Sequence, residues 1–188
     1  MKQRAIAMLT TMALLLTVAC GVAFAASIIN CPNQPGSVSC SGTNQADTMN
    51  GSDLYDLMSG KGGNDVMKGN KGNDVVDGNG GADYVYGGPG DDRDLNMVEG
   101  LWGGVDSAGD HVYGGAGNDY ITGGGYSEKG VDQLFGGKGD DVFNASQRMS
   151  PVPVGISREI IDCGPGTDTV YFDKGLDSVD NCEVKHPY

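Results

Sequence analysis

The chain has 188 residues, room for one domain of ordinary size, with 33 glycines and a formal charge of −13. Leu, Ile, Val and Phe supply 30 of the 163 residues after Ala25, about 18%. A core so thin in so acidic a chain lies in the range where apolar burial alone does not fold a protein, and the missing basic face excludes nucleic acid as a partner.

Residues 1–25 read as an export signal. Lys2 and Arg4 precede an apolar run from Ala5 to about Ala19, and Ala23-Phe24-Ala25 has the small-x-small pattern that a signal peptidase accepts. The run approaches the length of a membrane span, which leaves a retained anchor open. Thr17-Val18-Ala19-Cys20 resembles a bacterial lipobox without its usual leucine, which leaves lipid attachment at Cys20 open. The small residues filling the second half of the run favour cleavage. Removing Lys2 and Arg4 leaves 10 basic against 25 acidic side chains, or −15. Self-repulsion at that density opposes compaction, so the chain needs cations to fold.

Beyond residue 25, four cysteines remain: Cys31, Cys40, Cys163 and Cys182. An even number suits an oxidising, extracellular compartment. Three pairings are open. Proximity favours Cys31–Cys40 and Cys163–Cys182, which would staple the two ends of the chain, the first within an N-terminal loop at 26–41. No Cys-x-x-Cys spacing supports a thiolate metal site.

From residue 42 to 144 the sequence repeats. Asp47, Asp56, Asp65, Asp74, Asp83 and Asp92 fall nine residues apart, and Asp110, Asp119, Asp132 and Asp141 continue the series after an interruption. Glycines recur in the same frame: Gly60 and Gly63, Gly69 and Gly72, Gly78 and Gly81, Gly87 and Gly90, Gly114 and Gly117, Gly136 and Gly139. Two residues after each aspartate comes an inward slot, filled by Met49, Met58, Met67, Val76, Val85, Val112, Ile121, Leu134 and Phe143, and by Asp94 after Asp92. Units such as Gly87-Gly88-Pro89-Gly90-Asp91-Asp92 and Gly136-Gly137-Lys138-Gly139-Asp140-Asp141 resemble the G-G-x-G-x-D-x-U-x repeat of the RTX (hemolysin-type) calcium-binding proteins. The chemistry fits: glycines permit tight reversals that turn carbonyl oxygens inward, and aspartate supplies the hard oxygen that Ca²⁺ prefers.

The resemblance implies an all-β fold, a parallel β-roll in which two units make one coil and several Ca²⁺ ions lie between stacked turns. Ligating aspartates are then expected two units apart, with Asp47, Asp65 and Asp83 on one edge and Asp56, Asp74 and Asp92 on the other. Asp110 and Asp132 share an edge, as do Asp119 and Asp141. The glycines named above belong to the same metal-binding turns. Asn64, Asn73, Asn118, Asp91 and Asp140, each just before a repeat aspartate, are expected to be solvated.

The frame breaks at about 94–104. Either a degenerate unit spans 96–104 or a loop bulges from the roll; Arg93, Met97, Leu101 and Trp102 there read as a hydrophobic plug or, less favoured, as a ligand patch. A second insertion falls around 126–129. The first units, at 42–47 and 51–56, lack the inner glycines, so the cation sites there are the least secure, as expected of capping repeats. Residues 145–188 form a C-terminal cap, with strands expected at 159–161 and 169–172. One more degenerate unit starts at Cys163, and Asp168 is an isolated candidate ligand.

No catalytic machinery accompanies the repeats: His-Glu-x-x-His and Gly-x-Ser-x-Gly are absent, and His111 and His186 are the only histidines. The reading is a secreted or cell-surface, non-enzymatic calcium-binding protein with a structural or adhesive role. The alternative is a secreted enzyme or polysaccharide-binding module using an outward face, where Tyr84, Tyr86, Tyr113 and Tyr120 could stack on sugars. Surface or matrix polysaccharide or protein is the partner class implied.

Overall fold

A computed structural model of the protein describes residues 27–33, 38–93, 108–123, 130–145 and 158–188. The export segment with Cys20, the stretch holding Met97, Leu101 and Trp102, and the insertion at 126–129 lie outside these residues.

The short x-U-x segments become strands, and every second strand along the chain joins the same sheet except at the interruption, where the consecutive strands Tyr84–Pro89 and His111–Ala116 share one. The first sheet runs in the order β1 (Ser27–Asn30), β3 (Asp47–Asn50), β5 (Val66–Lys68), β7 (Tyr84–Pro89), β8 (His111–Ala116), β10 (Gln133–Lys138), β12 (Ile160–Asp162) and β14 (Ser178–Asp180). The opposite face carries β2 (Val38–Ser41), β4 (Asp56–Ser59) and β6 (Val75–Asp77), followed by β9 (Tyr120–Thr122), β11 (Val142–Asn144), β13 (Thr169–Phe172) and β15 (Val184–Pro187). Arg93 bridges Val75 on one side and Tyr120 on the other, which joins the two parts of this face. All strand pairings are parallel, as a solenoid requires when each coil adds one strand to each face. The parallel β-roll expected from the repeats is the fold observed.

Register follows the nine-residue frame. Met49 lies beside Met67, Met67 beside Val85, Val85 beside Val112, and Val112 beside Leu134. These side chains and Met58, Val76, Ile121, Phe143, Ile161 and Val170 on the two faces are wholly buried. The roll thus has a single apolar column per face and little else apolar inside.

At the interruption β7 pairs directly with β8, Tyr84 opposite His111 and Tyr86 opposite Tyr113. No strand of a degenerate unit intervenes, so the coils before and after the break stack as neighbours. Aromatic rings cross this seam. Tyr84 stacks on His111 with centroids 4.6 Å apart, and Tyr86, Tyr113 and Phe135 form a row at 5.0 and 4.8 Å. Each such pair contributes roughly 0.5–1.5 kcal/mol beyond its burial. Two disulfides, Cys31–Cys40 and Cys163–Cys182, close the ends as proximity suggested.

Backbone reversal sets the turn chemistry. Gly117 has φ 138°, and a β-carbon there would overlap the Gly90 carbonyl of the coil before it. Lys61 occupies a comparable left-handed position, φ 79°, without glycine. Gly117→Ala should therefore lower the unfolding free energy by about 2 kcal/mol or more, whereas Lys61→Gly should change it by less than about 1 kcal/mol. Denaturant titration of the two variants distinguishes these outcomes, and a wild-type midpoint for Gly117→Ala would refute the close approach.

Candidate metal centre

Strand alternation decides where the aspartates go. A side chain two residues before an inward Met or Val points inward as well, so the carboxylate enters the roll at the start of each strand. All ten repeat aspartates are buried: Asp47, Asp56, Asp65, Asp74, Asp83, Asp92, Asp110, Asp119, Asp132 and Asp141. The glycine two residues after the apolar one continues the same inward row, as Gly87 does after Val85 in β7.

The carboxylates stack into two ladders. On one edge the Asp47 N–H donates to Asp65 Oδ1 at 2.8 Å, Asp65 to Asp83 at 2.8 Å, Asp83 to Asp110 at 2.7 Å and Asp110 to Asp132 at 2.9 Å. On the other the order is Asp56, Asp74, Asp92, Asp119, Asp141 and Asp168, with distances of 2.7–2.9 Å. The expected division between edges holds on both sides of the interruption. Asp168, expected to be isolated, is instead the next rung after Asp141, and its own N–H donates to Glu183 Oε2 at 2.9 Å.

Each rung uses one carboxylate oxygen. The other, Oδ2, is buried without a hydrogen bond in Asp65, Asp74, Asp92, Asp119, Asp141 and Asp168. Burying an acceptor without a donor is costly, and an ionised one more so. The space beside these oxygens is lined by further acceptors. A β-carbon at Gly69 would stand 2.5 Å from Asp74 Oδ2 and 2.6 Å from the Gly87 carbonyl oxygen of the next turn. At Gly114 the corresponding carbonyl is that of Gly136, at 2.6 Å. The carbonyls of Asn70 and Gly72 press on Gly88 and Gly90 in the same way. Among the described residues no three acidic, histidine or cysteine side chains converge on one point, so any cation here draws on carbonyl oxygens as well. That mixture of hard oxygens suits Ca²⁺, and the residues fit the ion.

Burial raises these carboxyl groups: Asp65, Asp92 and Asp141 to about 6, and Asp74 and Asp119 to about 7. The N–H from the preceding rung pulls each back down, and neighbouring carboxylates push each further up.

A second set of side chains, expected to be solvated, is exposed and binds the backbone as well. Asn64 Oδ1 accepts from Ala82 N–H, Asn73 from Asp91, Asp91 from Asn118, Asn118 from Asp140 and Asp140 from Thr167, at 2.9–3.2 Å. In this outer ladder the earlier coil's side chain accepts, whereas in the inner one the later coil's does. The recurrent Asn or Asp just before the repeat aspartate was the signal for it.

Other candidates fare differently. Tyr120 lies on the face opposite Tyr84, Tyr86 and Tyr113. The rings of Tyr86, Tyr113 and Phe135 stack on one another in a row, with interplanar angles of 6°. Of the patch around the interruption only Arg93 is described; it is exposed and lines a cleft with Tyr120 and Asp140.

Residues 59–94, 106–125 and 126–147 match the RTX calcium-binding nonapeptide repeat, in four copies. No curated protein and no solved structure matches the chain. Ladder, glycine cradle and repeat pattern agree: these segments are RTX calcium-binding nonapeptide repeats.

Proposed function

We propose that this is an exported protein whose roll folds on binding several Ca²⁺ ions and then serves, without catalysis, as a structural or adhesive element at the cell surface or in the matrix. The observation that carries it is the row of buried Oδ2 atoms lacking a hydrogen bond and facing backbone carbonyls. Asp65, Asp74, Asp83, Asp92, Asp110, Asp119, Asp132 and Asp141 would hold the ions, with carbonyl oxygens of their glycine turns. Bound Ca²⁺ supplies the positive charge that lets neighbouring carboxylates remain ionised inside the roll. The N-terminal pattern, the paired cysteines and the acidic balance support export to a calcium-rich, oxidising medium, where metal binding and folding are one equilibrium.

Far-UV circular dichroism of residues 26–188 should show coil in chelator at neutral pH and β-structure on adding Ca²⁺. A β-spectrum unaffected by chelator would sink the reading. Replacing Asp74 and Asp92 together with Asn should weaken the cooperativity of the transition more than Asp47→Asn does, because the pair lies in mid-array.

The pH dependence has a defined sign. Between about 4 and 7 the cation-free roll binds more protons than the unfolded chain, because its carboxyl groups are raised to about 6 and 7 from 3.8. Its stability therefore falls as pH rises through that window. In chelator the chain should gain β-structure on acidification from pH 8 to pH 5. With calcium present, binding should release protons below pH 7, readable by calorimetry in buffers of different ionisation enthalpy. Calcium affinity independent of pH from 5 to 8 would contradict the raised values.

A further inference from the structure

The first two turns are built differently from the rest. In the turn 60–65 the second residue, Lys61, has φ 79°; Asn70 and Asn79 have 76° and 64°, and Gly88, Gly115 and Gly137 are also left-handed. In the turns 60–65 and 69–74 the aspartate Oδ2 is buried without a hydrogen bond. Thr43 and Ser52 stand at the same position in the turns 42–47 and 51–56, outside the left-handed region. Their groups point back into the turn. Asp47 Oδ2 accepts the Thr43 N–H at 2.6 Å and the Thr43 hydroxyl at 2.9 Å. Asp56 Oδ2 accepts the Ser52 N–H at 2.6 Å and the Ser52 hydroxyl at 3.0 Å.

We infer that the cation array starts at the turns 60–65 and 69–74, and that Thr43 and Ser52 close the two preceding turns in place of Ca²⁺. The inference rests on the calcium reading above and sets its N-terminal boundary. Two donors already engage the oxygen that later turns leave for the metal, and a cation brought to it would meet an N–H directed at the same lone pairs. Asp47 also differs from Asp65 in the direction of its carboxyl's pKa shift. Burial pulls its carboxyl up, but the Thr43 donors and the contacts from Ser27 outweigh that and hold it below the ordinary carboxylate value. The family match independently begins at residue 59, after both hydroxyl-closed turns. The cap remains joined to the array without a metal of its own, since the Asp47 and Asp56 N–H groups donate to Asp65 and Asp74. On this inference Asp47 and Asp56, expected from the repeat to ligate, cap the array instead.

Counting ions tests this. Native mass spectrometry of the oxidised protein in saturating Ca²⁺ should give the same number of ions for wild type, Asp47→Asn and Asp56→Asn, and fewer for Asp74→Asn. Replacing Thr43-Asn44-Gln45 by the Lys-Gly-Gly of the turn 60–65 (Thr43→Lys, Asn44→Gly, Gln45→Gly) should add one ion. This gain of a site keeps the test decisive even where a loss variant fails to fold. Loss of an ion in Asp47→Asn or Asp56→Asn, or no added ion in the triple variant, would overturn the inference. A wild-type protein that binds no Ca²⁺ would instead overturn the calcium reading itself.

Discussion

Like charges stacked at the spacing of a parallel sheet are the constraint on which this protein turns. Neighbouring rungs of each aspartate ladder belong to adjacent strands, roughly 4.8 Å apart. Two ionised carboxylates at that distance repel by about 3–4 kcal/mol at the effective dielectric found near protein surfaces. One N–H per carboxylate offsets part of this and leaves Oδ2 facing carbonyl oxygens. Protonation relieves the repulsion in acid; a divalent cation relieves it at neutral pH while binding the carbonyls too. With a single apolar column per face, the interior offers no comparable alternative.

The rest of the architecture follows from keeping that stack in register. Glycines bring one coil's carbonyls against the next, and the outer Asn/Asp ladder ties the same turns together with opposite polarity. Where the repeat is interrupted, stacked aromatic rings across β7 and β8 supply cross-strand attraction on the outer face. At the ends, where a rung has a neighbour on one side only, the chain uses covalent bridges, and at the N-terminus hydroxyl donors as well. In the proposed reading calcium governs the middle of the roll, and ordinary capping chemistry governs its first turns.

Much of this was legible because the sequence is periodic. The resemblance to RTX repeats, with two nine-residue units to a coil, implied the division of the aspartates between two edges, and the inward slot from Met49 to Phe143 predicted the core residue by residue. Features that depend on context were not legible. Asp168 looked isolated because residues 145–158 separate it from Asp141, yet parallel stacking across that gap makes it the next rung. Direct pairing of β7 with β8 across the interruption is a long-range fact that local spacing could not supply. Asn64, Asn73 and Asn118 are exposed as expected, but their backbone partners were not legible because those N–H groups lie a whole coil away. Thr43 and Ser52 carried a readable cue, a hydroxyl four residues before aspartate, but only the turn geometry shows that it reaches the carboxylate.

Amide hydrogen exchange at the ladder N–H groups of Asp65, Asp74, Asp92 and Asp119 tests the central claim most directly, because those groups donate to the carboxylates in question. The account predicts strong protection of all four in Ca²⁺ and its concerted loss in chelator at neutral pH. Equal protection in the two conditions would show that the stacked carboxylates hold together without a cation, and would contradict the account.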